Sequence, residues 1–394
     1  MQEPGVLVVN AGSSSLKVKL FPAGDAVLVE RIGEASRFVT SFSAGSARAV
    51  RHHGEALRLV LEVLEDRLPE GGIAAVGHRV VHGGERYSRP VLIDDTVEAM
   101  IDELAELAPL HNPANLAGIR AARALLPGVP QVAVFDTAFH ADMPRRAYLF
   151  GLPMAAFRER RIRRYGFHGT SHDYVSLCAA AELGRPRSAL KLVSLHLGNG
   201  ASAAAIAGGR SVDTSMGFTP LDGLLMGTRS GEVDPGVLIH LLRGGLDVEG
   251  LDGMLNRESG LLGLSGVSND MRDVRRAADA GNEDARAALE VFAYRIAKTV
   301  GAYAAAMGGL DAIVFTGGIG ENDARIREES LAGLGFLGVR LDPERNTRHA
   351  TRIAAEGAVV EVLVIPTDEE RMIATATAEA AGVGQAHRLT EETP

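Results

Sequence analysis

Residues 6–21 read VLVVNAGSSSLKVKLF, and residues 192–207 read LVSLHLGNGASAAAIA. Each stretch places an apolar run before a turn of glycine, serine or asparagine, and a second strand pattern follows the turn. Each also lies early in its half of the chain. The pair predicts a duplicated domain whose copies each begin with a β-hairpin, with a cleft between the copies. Chance is the alternative, because hairpins are common.

Around these stretches, strand patterns alternate with helical ones, which is typical of an α/β architecture. Leucine and valine recur at helical spacing in 54–67, whereas QVAVF at 131–135 is a short strand pattern. We expect a first domain over 1–150 and a second over 151–370. A C-terminal helix from about 371 to 394 is expected to pack back on the first domain.

Composition excludes several classes of protein. The 394 residues carry a formal net charge of −9 at pH 7, so we expect no nucleic-acid partner, which would require a basic face. Cys178 is the only cysteine, which excludes an intramolecular disulfide and a four-cysteine zinc site. Its apolar surroundings predict a buried, unreactive thiol. No apolar run approaches the ~18 residues that span a bilayer, and a signal peptide is not apparent. We therefore expect a cytoplasmic protein without a membrane partner.

Three turns rich in glycine or serine follow apolar runs, at residues 10–17, 196–202 and 316–322. Backbone N–H groups in such turns can point into one concavity that suits phosphate oxygens. Three of them in one chain favour nucleotide binding. Two standard motifs do not account for it: no glycine precedes a lysine, as a Walker A loop requires. The G-x-G-x-x-G at 333–338 follows a helical pattern rather than a strand.

Positive charge stands next to these and other glycine-rich segments. Lys17, Arg79 and Arg229 each lie among glycine and apolar residues. An arginine fork matches the oxygens of phosphate and carboxylate groups. The alternative for each one singly is an ordinary surface charge.

Acidic residues suggest a magnesium site. Asp136 follows a predicted strand, and a carboxylate at a strand end is typical of α/β sites. Glu369 and Glu370 follow IPT at a predicted helix start. The alternative for these two is favourable placement in the first turn of a helix.

His168 and His172 lie four residues apart in YGFHGTSH, so on a helix they would share a face, as zinc ligands can. The glutamate of H-E-x-x-H is missing, and no third ligand is apparent. We expect Thr170 or Ser171 to cap a helix that begins there. A zinc hydrolase built on the two histidines is kept as an alternative.

Taken together and in order, the motifs resemble those of the acetate kinase family, from residue 8 to about 370. The segments that carry the resemblance are NAGSSSLK (10–17), GHRVVHGGE (77–85), LAPLHNP (107–113), VFDTAFH (134–140), YGFHGTSH (165–172), HLGNGAS (196–202), TSMGFTPLDGL (214–224), MGTRSG (226–231), SGVSND (265–270), FTGGIGEN (315–322) and IPTDEE (365–370).

The resemblance implies the acetate and sugar kinase, actin-like superfamily, with two ribonuclease H-like domains. It implies reversible in-line transfer of phosphate from ATP to acetate, which yields acetyl phosphate and ADP and supports acetyl-CoA biosynthesis. Mg²⁺ is the implied metal, with Mn²⁺ as a substitute, and a cytoplasmic homodimer is implied. Two other readings remain: a propionate or butyrate kinase of the same family, and an actin-like ATP-binding switch without metabolic chemistry.

The resemblance also implies roles for single residues. Asn10 and Glu369 match the metal site. The first phosphate loop contains Ser13, Ser15 and Lys17. The second phosphate loop consists of His196, Leu197, Gly198, Asn199 and Gly200. The adenosine and ribose contacts match Asp270, Met271, Arg272, Gly318, Ile319, Gly320, Glu321 and Asn322.

At the reacting groups, the resemblance implies that Arg79 binds the substrate carboxylate and that His168 and Arg229 stabilise the phosphoryl group in flight. The apolar pocket for the methyl group is matched by Val81, Leu110, Phe167 and Pro220. Asp136 matches a catalytic proton donor or acceptor. A carboxylate substrate with a pKa near ~4 is already ionised at neutral pH, so we expect Asp136 to orient Arg79, Arg229 or the metal instead.

Overall fold

The computed structural model describes residues 5–42, 49–108 and 111–383. It forms two compact units. Unit 1 takes in the described residues of Met1–Ala141 and Asp368–Pro394, and unit 2 is Asp142–Thr367. Leu110, which the sequence predicts in the substrate pocket, lies outside the described residues, as does the predicted helix beyond residue 383.

Each unit is built on one sheet. The strands of unit 1 are β1 (Gly5–Ala11), β2 (Ser15–Phe21), β3 (Asp25–Glu30), β4 (Arg37–Thr40), β5 (Ile73–Val80), β6 (Val91–Leu92) and β7 (Gln131–Phe135). The strands of unit 2 are β8 (Lys191–Leu197), β9 (Ala201–Ala207), β10 (Arg210–Thr214), β11 (Ala312–Thr316) and β12 (Glu361–Val364).

The helices, in chain order, are α1 (His53–Leu64), α2 (Asp95–Glu103), α3 (Asn112–Leu125), α4 (Arg145–Tyr148), α5 (Met154–Arg160), α6 (Gly169–Leu183), α7 (Pro235–Arg243), α8 (Val248–Arg257), α9 (Gly260–Ser265), α10 (Met271–Asp279), α11 (Glu283–Met307), α12 (Gly317–Asn322), α13 (Ala324–Leu331), α14 (Pro343–Thr347) and α15 (Glu369–Ala381). Short 3₁₀ helices lie at Glu65–Arg67, Leu104–Glu106, Ala138–His140, Arg187–Ala189 and Gly335–Leu337. Within the described ranges, none of these helices is long and apolar enough to cross a membrane.

The two sheets share a core topology. The strand order is β4-β3-β2-β1-β5-β7-β6 in unit 1 and β10-β9-β8-β11-β12 in unit 2. In each, three consecutive antiparallel strands form a meander, and two parallel strands are added beside the first of them. The stretches at 6–21 and 192–207 are the first hairpins of these two meanders. The predicted duplicated ribonuclease H-like α/β fold is therefore confirmed.

Alternation along β1 places its side chains on both faces of the sheet. Leu7 and Val9 belong to the core cluster that includes residues of α1, whereas Val6 and Val8 pack with residues of α15. Helix α15 comes close to β5 at Gly77. A Cβ on Gly77 would lie 2.9 Å from Cγ2 of Ile373 and closer still to Oγ1 of Thr377. Only glycine permits this approach of helix and sheet.

Residues 316–322 pass from β11 into α12 at Gly317, whose φ is 76°. Two local predictions are wrong. Neither Thr170 nor Ser171 caps α6, because the helix begins at Gly169 and its N-cap residue is His168. Cys178 is half-buried rather than fully buried, since it lies on α6 outside the part of that helix that faces the core.

Candidate functional site

The carboxyl ends of two parallel strands bring Arg79 and Asp136 together in unit 1. Val80 of β5 pairs with Phe135 of β7, so the residues around this pair emerge at the same edge of the sheet. Nε of Arg79 donates to Oδ1 of Asp136 at 2.9 Å, and Nη2 donates to Oδ2 at 2.6 Å. Asp136 is buried. A bidentate pair of this kind fixes the plane of the guanidinium group.

Glu369, the first residue of α15, lies beside the same pair. Its Oε2 is 3.9 Å from Nε of Arg79. Burial by itself would lower the pKa of Arg79, but the charges of Asp136 and Glu369 outweigh burial and raise that pKa. Burial raises the pKa of the Glu369 carboxyl, and the charge of Arg79 opposes this change. Arg79 therefore stays cationic between two acidic side chains.

The first predicted phosphate loop lies next to Glu370, the residue that follows Glu369 on α15. Asn10 of β1 pairs with Lys17 of β2, and the amide of Gly12 donates to the carbonyl of Ser15 at 2.9 Å across the turn. Lys17 forms an ion pair with Glu370, which follows Glu369 on α15. Unit 1 thus brings α15 and the β1–β2 hairpin into contact through opposite charges.

The side chains available to a cation in this part of unit 1 are few. No cluster of three or more His, Cys, Asp or Glu side chains suited to a metal occurs within the described residues. Asn10 and Glu369 offer an amide and a carboxylate oxygen. This small set of hard oxygen donors suits Mg²⁺, which keeps several waters and takes further ligands from phosphate groups.

Val81 follows β5 and is buried. Its amide donates to Oδ1 of Asn115 at 3.0 Å, and Nδ2 of Asn115 donates to the carbonyl of Ala11 at 2.8 Å. Asn115 therefore joins the ends of β5 and β1 from α3. The sequence analysis did not single it out, although a buried asparagine in an otherwise apolar helix face is an available signal.

In unit 2 the second predicted phosphate loop is a tight hairpin that other loops hold in place. The amide of Gly198 donates to the carbonyl of Gly200 at 3.0 Å, and the carbonyl of Asn199 accepts from the amide of Gly227 at 2.9 Å. Oδ1 of Asn199 accepts from Nδ2 of Asn269 at 2.9 Å. A Cβ on Gly227 would overlap Oδ1 of Asn199, so glycine is required for this contact. Three separate loops meet at the turn.

Two nitrogen-bearing side chains converge on that turn. The position that a Cβ on Gly200 would take lies 3.6 Å from Nη1 of Arg229 and 3.7 Å from Nε2 of His168. Nη1 of Arg229 also donates to the carbonyl of Pro220 at 3.3 Å, and burial lowers the pKa of Arg229. Both side chains therefore approach the backbone at Gly200.

His168 occupies a strained backbone position at the start of α6. Its φ is 56° and its ψ is 25°, a left-handed conformation that costs a non-glycine residue about 1–3 kcal/mol. Its ring stacks on that of His196 with centroids 4.3 Å apart. Strained residues of this kind cluster at functional sites, so the backbone of His168 marks it as a candidate functional residue.

The arrangement of His168 and His172 disagrees with a zinc site. Nδ1 of His168 lies 2.9 Å from Oγ of Ser202, and Nε2 of His172 lies 2.8 Å from the same oxygen. The two rings share a hydroxyl group and do not leave space for a common metal ion. The zinc alternative for His168 and His172 is therefore not supported by their contacts, and the contact of Ser202 with both rings had no signal in the sequence.

The residues predicted to contact adenosine fall on α10 and α12. Asp270 caps α10, and its oxygens accept from Nε and Nη2 of Arg272 at 3.0 and 2.6 Å. The hydrogen bonds from Arg272 lower the pKa of Asp270 to about 2. Met271 is buried, so its side chain belongs to the core.

Helix α12 carries the remaining predicted adenosine contacts and is stabilised from both ends. Oε1 of Glu321 accepts from the amides of Gly317 at 2.9 Å and Thr367 at 3.2 Å. At the other end, Nη1 of Arg327 donates to the carbonyls of Gly320 at 2.8 Å and Glu321 at 3.0 Å. Within α12, Nδ2 of Asn322 donates to the carbonyl of Gly318, and Ile319 is half-buried. Leu197, which the second predicted phosphate loop includes, is buried. Arg327, which is fully buried, was not predicted.

The predicted residues thus form one group in each unit. Unit 1 holds the metal, first-loop and carboxylate-binding residues, which are Asn10, Ser13, Ser15, Lys17, Arg79, Val81, Asp136 and Glu369. Unit 2 holds those predicted for phosphate and adenosine, together with Phe167, which is buried, and Pro220, which is half-buried.

The profile of the Acetokinase family matches residues 5–375 of this chain. A protein of Leifsonia xyli subsp. xyli that is named acetate kinase is 57% identical over 321 residues, which make up 80% of this chain and 81% of the relative.

Two solved structures agree with this match. The crystal structure of acetate kinase from Porphyromonas gingivalis has a TM-score of 0.91 and 45% identity, and the match covers 96% of this chain and 99% of that one. A propionate kinase from Francisella tularensis subsp. tularensis has a TM-score of 0.90 and 40% identity, with coverage of 95% and 99%.

Proposed function

The chain belongs to the acetokinase family, and from that membership we propose that it transfers the γ-phosphate of ATP reversibly to acetate, which yields acetyl phosphate and ADP. The reaction joins a phosphoryl group to a carboxylate oxygen without a covalent enzyme intermediate. Enzymatic phosphoryl transfer depends mostly on positioning and on electrostatic stabilisation of a loose transition state.

The observation that carries the proposal is the convergence of Arg229 and His168 on Gly200. Nη1 of Arg229 and Nε2 of His168 lie 3.6 and 3.7 Å from the position that a Cβ on Gly200 would take. Donors placed there can stabilise the equatorial oxygens of the phosphoryl group as charge develops on them. Arg229 meets a neutral carbonyl rather than a carboxylate, so its positive charge is available to an anion.

Arg79 is proposed to bind the carboxylate of acetate. Asp136 occupies the edge of the guanidinium formed by Nε and Nη2, so the edge formed by Nη1 and Nη2 is the one assigned to substrate. The bidentate pair supports an orienting role for Asp136 in place of proton transfer. Because acetate is ionised at neutral pH, its attacking oxygen has no proton to remove.

Asn10 and Glu369 are proposed to hold Mg²⁺, with Mn²⁺ as a substitute. The metal, when bound, neutralises charge on the phosphate oxygens of the nucleotide. Ser13, Ser15 and Lys17 are proposed to bind phosphate from the β1–β2 turn. The groups on α10 and α12, from Asp270 to Asn322, are proposed to bind adenosine and ribose.

The second candidate is a propionate kinase, which one of the matching structures is named. Val81, Leu110, Phe167 and Pro220 are proposed to enclose the methyl group of the acid. One additional methylene in a small pocket is worth about 1–3 kcal/mol, or 10–200-fold in kcat/KM. We therefore propose that acetate is preferred over propionate, and propionate over butyrate.

A cytoplasmic homodimer is also proposed, and α7 supports it. None of the residues of α7 is buried, although it reads PGVLIHLLR. Val237, Ile239 and Leu242 are 45%, 50% and 40% exposed. Large apolar side chains this exposed on a surface helix are typical of a protein interface. The partner proposed for α7 is the same helix of a second copy.

Incubation with MgATP, one short-chain acid and hydroxylamine tests the reaction, because hydroxylamine traps acyl phosphates as hydroxamates. We expect acetyl hydroxamate in proportion to the ADP formed, with less product from propionate and butyrate. A higher kcat/KM for propionate would select the second candidate. Binding of ATP without hydroxamate from any of the three acids would favour a nucleotide-dependent switch.

A further inference from the structure

In unit 2, a row of hydroxyl and imidazole groups in hydrogen-bond contact leads from His168 to Ser194. Oγ of Ser202, on β9, lies 2.9 Å from Nδ1 of His168 and 2.8 Å from Nε2 of His172. Nδ1 of His172 lies 2.9 Å from Oγ of Ser194, on β8. Ser194, Ser202 and His172 have no exposed surface. The row therefore connects the ring of His168 to buried side chains of β8 and β9.

Proton counting limits the hydrogen bonds in this row. The hydroxyl group of Ser202 has one hydrogen to donate, and it contacts two ring nitrogens. It must donate to one ring and accept an N–H from the other. If Ser202 donates to Nδ1 of His168, neutral His168 carries its proton on Nε2. His172 then donates from Nε2, and its Nδ1 accepts from Ser194.

The opposite arrangement reverses every bond in the row. It places the proton of His168 on Nδ1 and moves the proton of His172 from Nε2 to Nδ1. In either arrangement each of the three contacts of the row has one donor and one acceptor. The buried ring of His172 changes its tautomer and not its charge, so the interior acquires no unpaired charge, which would be costly.

The surroundings of His168 select between the two arrangements. The edge of the His168 ring formed by Cε1 and Nε2 lies 3.6 and 3.7 Å from the position that a Cβ on Gly200 would take, and Nη1 of Arg229 lies 3.6 Å from it. A phosphate oxygen at that point is an acceptor and favours a proton on Nε2. The ring also stacks on His196 at 4.3 Å, and two cationic rings at this distance would repel each other. A neutral ring with its proton on Nε2 satisfies both conditions.

We propose that Ser202 and His172 are positioning residues for phosphoryl transfer. They hold His168 as the neutral tautomer with its proton on Nε2, directed at the phosphoryl group beside Gly200. The role in transfer rests on the proposed function. The tautomer itself is a property of the ring and is measured independently of activity.

The test uses the full-length protein labelled with ¹⁵N-histidine, with a non-hydrolysable ATP analogue and Mg²⁺ bound. Long-range ¹H–¹⁵N correlation spectra distinguish protonated from unprotonated ring nitrogens, and the spectrum of His168→Gln assigns the signals of His168. We expect a protonated Nε2 and an unprotonated Nδ1. Ser202→Ala should give a mixture of tautomers, and a protonated Nδ1 on neutral His168 in the wild type would overturn the proposal.

Kinetics provide the second readout. Loss of one orienting hydrogen bond, worth about 1.4 kcal/mol, corresponds to a roughly tenfold lower kcat for Ser202→Ala, with KM for ATP and acetate within about twofold. Ser202→Thr keeps the hydroxyl group and should recover most of the kcat. Ser176→Ala is the matched control, because this buried serine lies on α6 and donates to the carbonyl of Asp173 at 2.7 Å. It should change neither readout.

Ser194→Ala keeps the result decisive if Ser202→Ala does not fold, because it leaves both contacts of Ser202 in place. It should shift the tautomer of His172 and lower kcat by a smaller factor. Normal kcat and unchanged ring signals in the folded serine variants would contradict the proposal. An inactive wild-type protein with the expected ring signals would refute the proposed function and leave the tautomer assignment standing.

Discussion

Arg79 and Arg229 both stand beside glycine in the sequence, yet their surroundings differ in a way that assigns them different tasks. Arg79 is paired with Asp136 and lies near Glu369, so its orientation is fixed before any substrate binds. Arg229 donates to the carbonyl of Pro220 and keeps its charge uncompensated there. The fixed guanidinium of Arg79 suits binding of a substrate in its ground state. The uncompensated charge of Arg229 suits stabilisation of negative charge that develops in the transition state.

Substitution of each arginine should therefore affect a different constant. Arg229→Ala should lower kcat by about 10²-fold or more, the size of effect seen when one such donor is removed, with little change in KM for ATP. Arg79→Ala should raise KM for acetate strongly. Steady-state kinetics of both variants measure the difference.

Arg229→Lys is the control for charge, since it keeps the cation and loses the planar fork. It should recover part of the lost kcat. Near-normal kcat in Arg229→Ala would remove this residue from the transition state.

Residues with a charge or a glycine-rich context could be predicted singly, whereas their supports could not. Arg79 and Arg229 were singled out from local patterns, whereas the role predicted for His168 came only from the family resemblance. Ser202 became visible only through the register of β8 and β9, which pairs it with His196. Asn115 acts across α3, β5 and β1. Such contacts depend on tertiary placement, which spacing along the chain does not encode.

Strand β5 carries Arg79 of the candidate site, and its Gly77 packs closely against α15. Gly77→Ala would place a methyl group against Thr377 and within 2.9 Å of Cγ2 of Ile373. We expect a loss of about 1–3 kcal/mol in the free energy of unfolding, as in other overpacked cores. Chemical denaturation followed by circular dichroism measures it.

Gly71→Ala is the matched control, because nothing lies within 4 Å of a Cβ at that position. It should leave stability unchanged within about 0.5 kcal/mol. Equal stabilities of the two variants would mean that α15 does not pack against β5 as closely as described.

His78, the next residue of β5, predicts a pH dependence of stability. Burial lowers the pKa of His78 to about 4, opposed by its hydrogen bond to Gln131. Its pKa is 6.5 when unperturbed, so between pH 6.5 and 4 the unfolded chain binds the proton more tightly. The stability due to neutral His78 is complete above pH 6.5 and is lost as pH falls towards 4.

The loss for this group approaches about 3 kcal/mol, because each pH unit between the folded and unfolded pKa values contributes about 1.36 kcal/mol. His78→Gln cannot take up the proton, so its free energy of unfolding should fall less steeply over the same range. Unfolding curves at a series of pH values compare the two proteins, and identical slopes would contradict this assignment.

Among the elements, the long patterned ones were predictable and α12 was not. VLVV alternates between two buried faces in β1, and its partner strand follows after a short turn. GGIGEN contains three glycines, which disfavour helix. It is helical because Glu321 and Arg327 bind backbone groups at its two ends. The contact from Arg327 comes from α13, so the helix propensity of residues 317–322 alone does not predict it.

For the whole molecule, the exposed apolar side chains of α7 predict a dimer. Ile239→Asp would place a carboxylate in the proposed contact, and it should convert the species of twice the chain mass into a monomer at micromolar concentration. Analytical ultracentrifugation measures both proteins. Phe336→Asp, at a position that is 78% exposed on another element, is the control and should leave the dimer intact. A monomeric wild-type protein would refute the interface.

The central claim is that a carboxylate oxygen of acetate forms the new bond to the phosphorus that leaves ATP. Acetate labelled with ¹⁸O in both oxygens tests this, because ³¹P NMR detects an ¹⁸O atom bonded to phosphorus as a small shift of the signal. The account predicts acetyl phosphate in which one ¹⁸O bridges carbon and phosphorus and the three other oxygens on phosphorus are unlabelled. Acetyl phosphate without ¹⁸O on phosphorus, or ATP turnover without acetyl phosphate, would contradict it.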